Sequence, residues 1–363
     1  MRLRRSVKSF DPSGCAPHHP YGGQALAFAG VVRVTYELEP AEWAEELARL
    51  ESIGLPDGPD EVRGEVVSVE DGRAVLDFPD RNWEGDVTLL VSALVAGEWA
   101  DSAALRRCRL VALDWPDGLP GPAFEPVDRV VVGAIVKPSL GLRPREVAET
   151  AAALARGGAD LVKDDELLGD REWCPLEERV RAVTAAIPPE VRYAPNLSGS
   201  AGGLLVRAEH AVELGAGALM VNAFAQGLDA LRLLREADLG VPLFAHRVGA
   251  ALWLRGSFGI SGTVLTELTR LCGGDYVQAG SFTEQVFDGE DEVRAQVAAC
   301  HRPLGVRRST AVLGGGVGPE NAAEQVRRSG ADGGLMVLLG ARAYLHPGGV
   351  EEGVRATVEA VAR

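Results

Sequence analysis

Leu161-Val-Lys-Asp-Asp-Glu166 places one lysine and three carboxylates in four consecutive residues, directly behind an apolar lead-in. Read as a strand, its side chains alternate, so Lys163 and Asp165 share one face and Asp164 takes the other. Glu166 falls at the strand end, where the chain turns and a side chain can be aimed inward. A hard divalent cation such as Mg²⁺ takes oxygen ligands from one or two carboxylates and keeps positions open for substrate. Asp165 and Glu166 supply such oxygens. Lys163 supplies one only if CO2 converts its amine to a carbamate.

Lysine is scarce here. Of 37 basic residues, only Lys8, Lys137 and Lys163 are lysines. An arginine stays protonated, whereas a lysine amine can act as base or nucleophile. Two interior lysines in so arginine-biased a chain point to amine chemistry; the alternative is two ordinary ion pairs. Three further groups suit a substrate. His246-Arg247 closes an apolar run and fits an oxyanion or phosphate. Gly314-Gly315-Gly316, followed by a helix near Pro319, can offer backbone amides to a phosphate, with Gly340 beside them. Metal, neutral lysine and His/Arg together suit proton abstraction α to a carbonyl.

The elements that must position these groups alternate. Candidate strands run Val130–Val136, Ala159–Asp165, Val191–Leu197, Ala218–Ala223, Pro242–Val248, Tyr276–Ala279, Thr310–Leu313 and Gly334–Leu338. Helical periodicity fills the intervals, including Pro144–Arg156, Leu176–Ala186, Gly262–Leu271 and Pro319–Arg328, and Gly349–Val361 closes the chain. Eight such units spell an α/β fold, a (β/α)8 TIM barrel over residues 126–363, with its active site at the strand C-termini. Each chemical group above falls at such an end: Lys137 and Ser139 after the first strand, Lys163–Glu166 after the second, Asn196, Asn222, His246, Gln278, Gly314 and Gly340 after the rest. Before the barrel, residues 26–125 read as a smaller α+β domain. It has a strand from Val31, a helix over Pro40–Leu50, a hairpin about Asp71-Gly72 and a strand at Arg109–Ala112. Residues 1–25, basic and then rich in Pro and His, read as a mobile arm and not as a signal peptide.

With a net charge of −15, neither nucleic acid nor an anionic membrane is expected as the main partner, so phosphate must be bound locally. No apolar run approaches the roughly 20 residues of a membrane span. Five cysteines without paired spacing imply reduced thiols and a cytoplasmic protein.

These residues resemble the RuBisCO large subunit. Gly133-Ala-Ile-Val-Lys137-Pro-Ser-Leu-Gly-Leu142 is similar to the motif of its catalytic lysine. Gly157-Gly-Ala-Asp-Leu-Val-Lys163-Asp-Asp-Glu166 is similar to the motif of its carbamylated lysine and Mg²⁺ carboxylates. The resemblance implies substrate and phosphate contacts at His246 and Arg247, and phosphate loops at Gly314, Gly315, Gly316 and Gly340. It also implies a homodimer or higher oligomer in which Glu51 reaches the partner's barrel; otherwise Glu51 is a solvated helix charge. The departures matter. Ser139 stands in place of a second lysine, Ala250 and Gln278 replace histidines, and Ser281–Asp288, matching the loop that closes over substrate, has no lysine. Ile135 and Ser92 also replace polar substrate contacts. The resemblance therefore implies a RuBisCO-like protein (form IV) that keeps the enolising half of the mechanism. Its substrate would be a phosphorylated ketose or diketone, such as 5-methylthioribulose 1-phosphate or 2,3-diketo-5-methylthiopentyl 1-phosphate. The alternatives are a transcarboxylase/hydrolase of a 3-oxo-isoapionate 4-phosphate type sugar acid, and a non-catalytic regulatory binder. Specificity is expected to lie in Ser139, Asn196, Asn222, Gln278 and the Ser281–Asp288 loop.

Overall fold

The computed structural model describes residues 30–95, 97–115 and 118–362. The basic arm, with Lys8, Cys15, His18 and His19, lies outside the described residues.

Two sheets organise the chain. The first combines β1 (Val31–Glu39), β2 (Glu65–Glu70), β3 (Arg73–Pro79) and β4 (Arg107–Leu113). The β2–β3 turn is made by Asp71 and Gly72, with φ of 48° and 74°. That left-handed pair matches the twist of a tight hairpin. Alternate residues of β1 and β3, including Val32, Val34, Tyr36, Leu76 and Phe78, face the buried side. Against them packs the helix Ala44–Leu50 through Leu47 and Ala48. A second helix of this domain spans Val87–Leu94 and is capped by the Asp86 carboxylate.

The second sheet contains β5 (Val130–Ile135), β6 (Leu161–Lys163), β7 (Arg192–Ala194), β8 (Leu219–Asn222), β9 (Leu243–His246), β11 (Tyr276–Gln278), β12 (Thr310–Gly314) and β13 (Leu335–Leu339). All neighbours are parallel, and β13 pairs with β5. Bonds from Ala218 N to Tyr193 O (3.0 Å) and Leu197 N to Met220 O (2.8 Å) link β7 to β8 and complete the barrel. These strands read as apolar runs because both faces are covered. Inward side chains such as Leu161, Met220, Phe244, Val312 and Met336 fill the barrel, and a second cluster packs the helices outside it. Gly133 makes room for Met336, whose Sδ lies 2.6 Å from where a Cβ would stand.

One strand was not foreseen. β10 (Phe258–Ile260) comes from the chain between β9 and β11 but adds in parallel to β4, with Phe258 opposite Cys108. Ala250, Leu254, Ile260, Val264 and Leu265 are buried with the small sheet. The helix expected from Pro319 spans Ala322–Ser329, three residues later, because the glycine turn is held first by Gly318 N donating to Asn321 Oδ1 at 2.9 Å. Cys108, Cys174, Cys272 and Cys300 are free and buried. No helix among the described residues is long and apolar enough to cross a membrane.

Candidate active site at the barrel mouth

The register that places Ile135, Lys163 and Ala194 side by side delivers the acidic cluster to the C-terminal rim. Alternation works as expected. Asp164 turns outward and is fully buried, accepting from Tyr193 Oη (2.6 Å), Asn196 N (2.9 Å) and Arg179 Nε (3.0 Å). Lys163 and Asp165 turn inward. Lys163 is completely buried, with Nζ donating to the Asp164 carbonyl at 2.7 Å. Burial lowers its pKa to about 8 against the pull of Glu166, Asp165 and Asp164. Neutral amine, the form that reacts with CO2, is therefore present near neutral pH.

Lys137, at the end of β5, donates to Asp165 Oδ2 at 2.5 Å and to Ser139 Oγ at 3.1 Å. Its ammonium thus stands on a carboxylate that suits a metal. Tyr344 fixes its backbone, with Oη accepting from Lys137 N and donating to Ile135 O, both at 2.9 Å. His246 Nδ1 accepts from Val248 N at 3.2 Å, which leaves the proton on Nε2, 3.5 Å from Glu166 Oε2. Burial first, then Lys163, Arg247 and Lys137, holds this imidazole well below 6.5, so it is neutral at pH 7.

Two residues expected to select substrate also bond to the backbone of the acidic run. Asn196 Nδ2 donates to the carbonyls of Asp165 (3.3 Å) and Glu166 (3.0 Å), and Asn222 Nδ2 also reaches Glu166 O (2.9 Å). They set the direction of Glu166 by gripping its backbone. Gln278 lines the cleft and accepts from Arg247 N at 3.0 Å.

Gly314, Gly315, Gly316 and Gly340 line the same cleft as Lys137, Glu166 and His246. Gly315 and Gly316 have φ of 104° and 70°, and neither N–H donates to an acceptor among the described residues. Successive free amides of this kind form an anion-binding concavity. Arg247, read as a phosphate contact, lines the cleft and is ion-paired through Nη2 with Asp288, while its buried Nη1 has no partner among the described residues. Glu51 does not line its own chain's cleft; it accepts from Trp99 N at 3.3 Å, and burial raises it to about 7.

Among the described residues, no three His, Cys, Asp or Glu side chains converge as a metal set. The donors fit a hard cation all the same: two carboxylates, one carrying a cationic stand-in, beside a buried lysine amine. That set reaches three protein ligands only through a carbamate on Lys163. Tyr344 was missed in the sequence, for it lies in no motif, and Asp288 was read only as the end of the Ser281–Asp288 loop; the pairing of Asp288 with Arg247 and of Arg179 with Asp164 arises from tertiary packing.

The family model for the ribulose bisphosphate carboxylase large chain, catalytic domain, matches residues 122–362. The chain belongs to the RuBisCO large-chain family. It is 31% identical over 303 residues to ribulose bisphosphate carboxylase-like protein 2 of Rhodopseudomonas palustris, covering 77% of this chain and 70% of that one. It is 31% identical over 336 residues to the 2,3-diketo-5-methylthiopentyl-1-phosphate enolase of Geobacillus kaustophilus, covering 81% and 80%. The octameric ribulose-1,5-bisphosphate carboxylase/oxygenase of Pyrococcus horikoshii superposes with a TM-score of 0.83 at 26% identity, over 92% of this chain and 87% of that one. This RuBisCO-family chain thus shares its two-sheet plan with carboxylases and with RuBisCO-like proteins alike.

Proposed function

We propose that this chain is a RuBisCO-like enolase or isomerase that removes a proton α to a carbonyl of a phosphorylated ketose or diketone, without fixing CO2. The observation that carries the reading is Lys137 Nζ at 2.5 Å from Asp165 Oδ2, a quarter exposed at the cleft. An amine so placed is within reach of a carbon whose oxygen is held at Asp165 and Glu166. Those carboxylates and a carbamate on Lys163 would hold Mg²⁺, which stabilises negative charge developing on the substrate oxygen. With a cation holding Asp165 in its place, Lys137 in its neutral amine form would accept the proton. Ser139 Oγ, 3.1 Å from that amine, orients it. Neutral His246 donates through Nε2 to a substrate oxygen. The free amides of Gly315 and Gly316, with Gly340, take the phosphate.

The enolase relative from Geobacillus kaustophilus supports 2,3-diketo-5-methylthiopentyl 1-phosphate as the substrate, and 5-methylthioribulose 1-phosphate is the other methionine-salvage type candidate. A cytoplasmic homodimer completes the reading, with residues 26–125 of one copy lending Glu51 to the barrel of the other. The octameric relative supports assembly of this kind.

Incubation with Mg²⁺, bicarbonate and a panel of phosphorylated ketoses in D2O tests the proposal by NMR. Deuterium enters the substrate at the carbon next to the carbonyl with the native chain. Lys137→Met slows exchange by about 10²–10⁴-fold, the range for a lost general base. Exchange that persists undiminished in Lys137→Met and Lys163→Arg refutes it.

A further inference from the structure

Beyond β5 the backbone that carries Lys137 loses its neighbour on one side. Toward β6 the pairing continues, with Val136 N donating to Lys163 O at 2.9 Å. Toward β13 it stops where Leu339 faces Ala134, because the chain leaves the sheet at Gly340 for the one-turn helix Ala341–Tyr344. Strand alternation points Lys137 N–H and Ile135 C=O into the gap so left. Tyr344 sends its hydroxyl back to fill it, Oη accepting from Lys137 N and donating to Ile135 O, both at 2.9 Å. One residue of a parallel strand bonds its neighbour in the same way, to an N–H ahead and a C=O behind. Here a side chain supplies both bonds. Burial raises the phenol above its usual 10, so the hydroxyl keeps the proton it donates. The next residue offers no further grip, for Pro138 has no N–H.

The turn that carries Tyr344 is itself braced. Ala343 is fully buried, and a Cβ at Gly353 of the closing helix would stand 2.3 Å from Ala343 O. The same turn lines the cleft through Gly340, Ala341 and Arg342. One short, supported piece of chain thus borders the phosphate end and holds the backbone of the amine. We propose that Tyr344 is a positioning residue: its hydroxyl sets Lys137 at a fixed distance from the phosphate cradle, so that the amine meets the carbon that loses its proton. Without that hydroxyl Lys137 hangs from the β6 side alone, through Val136, and a reacting group misplaced by about 1 Å costs on the order of 10²-fold in rate. This inference rests on the enolase reading, in which Lys137 is the base.

Tyr344→Phe removes the hydroxyl and keeps the ring, and the scarcity of lysine supplies a direct probe. With isotope-labelled lysine only Lys8, Lys137 and Lys163 give backbone amide signals by NMR, and Lys137→Met identifies the one that matters. In Tyr344→Phe the Lys137 amide should exchange with solvent about tenfold faster or more, the scale of one lost hydrogen bond, while the Lys163 amide is unmoved. Substrate α-proton exchange in Mg²⁺ and bicarbonate is the second readout. Its kcat should fall by about 10–100-fold with KM held within about twofold, since the acidic run and the glycine loop stay in place. A merely structural tyrosine would lower the thermal midpoint and leave kcat of the folded chain unchanged. An unmoved kcat in folded Tyr344→Phe overturns the inference, as does a Lys137 amide in the native chain that exchanges as fast as an exposed one. Should Tyr344→Phe fail to fold by circular dichroism, the native amide decides alone. If the native chain exchanges no substrate proton, the enolase reading falls and takes this one with it; if Tyr344→Phe exchanges as fast as the native chain, only the positioning role falls.

Discussion

At position 164 a carboxylate accepts three hydrogen bonds and meets no solvent, while one residue later Asp165 faces the cleft beneath the Lys137 amine. The strand's alternation divides them: Asp164 braces β6 against β7 and the helix Leu176–Ala186, and Asp165 is left for chemistry. Arg179 is the counter-charge, wholly buried and also tied to Cys174 O at 2.8 Å. Arg179→Met strands Asp164, and we expect about 3–5 kcal/mol of lost stability by urea denaturation, the cost of breaking a buried pair from one side. Glu51 behaves in the opposite sense. Burial raises its pKa to about 7 from 4.5, with the Trp99 N–H opposing. Between those values the folded chain keeps a proton that the unfolded chain releases, so stability falls as pH rises through that window. Glu51→Gln removes the penalty. Its melting temperature should exceed the native one at pH 8 by the equivalent of about 1 kcal/mol, after allowance for solvent screening. At pH 4.5 the two should coincide.

The strands of the barrel were legible as apolar runs because parallel strands covered on both faces need no polar alternation. Helices such as Pro144–Arg156 and Gly349–Val361 were legible to the residue from their periodicity and flanking Pro or Gly. β10 was not. Phe258-Gly-Ile260 is too short to carry a period, and its partner Cys108 lies far away in the chain. The site divides the same way. Lys137, Lys163, Asp165 and Glu166 announced themselves by type and strand position, whereas Asp288 acquires its meaning only on contact with Arg247. Gly259 now explains itself: with φ of 112°, its Cβ would lie 2.2 Å from Trp253 O. Gly259→Ala should cost about 2–4 kcal/mol through strain and overpacking, read as a lowered thermal midpoint. A fragment beginning at residue 122 should be poorly soluble, because Leu254, Ile260 and Leu265 lose the sheet that buries them.

For the whole molecule, the proposed shared site makes a prediction that no single chain can mimic. Lys137→Met and Glu51→Gln each inactivate a homodimer, the first in the barrel and the second across the interface. Mixed and reassembled, half the dimers are hybrids, and each hybrid holds one site free of both changes. Activity should return to about a quarter of native on twofold symmetry. No recovery, with hybrids verified by mass, would place Glu51 outside the catalytic unit. The pairing of β10 with β4 has a consequence of another kind, in the order of synthesis. A ribosome releases β4 long before Phe258 exists, and at about 5–20 residues per second the delay is on the order of ten seconds. Throughout that interval the nascent small sheet shows a bare edge, the geometry that invites pairing with a neighbouring chain. Production of this protein in a cell should therefore depend on chaperone supply and on the spacing of ribosomes along its message.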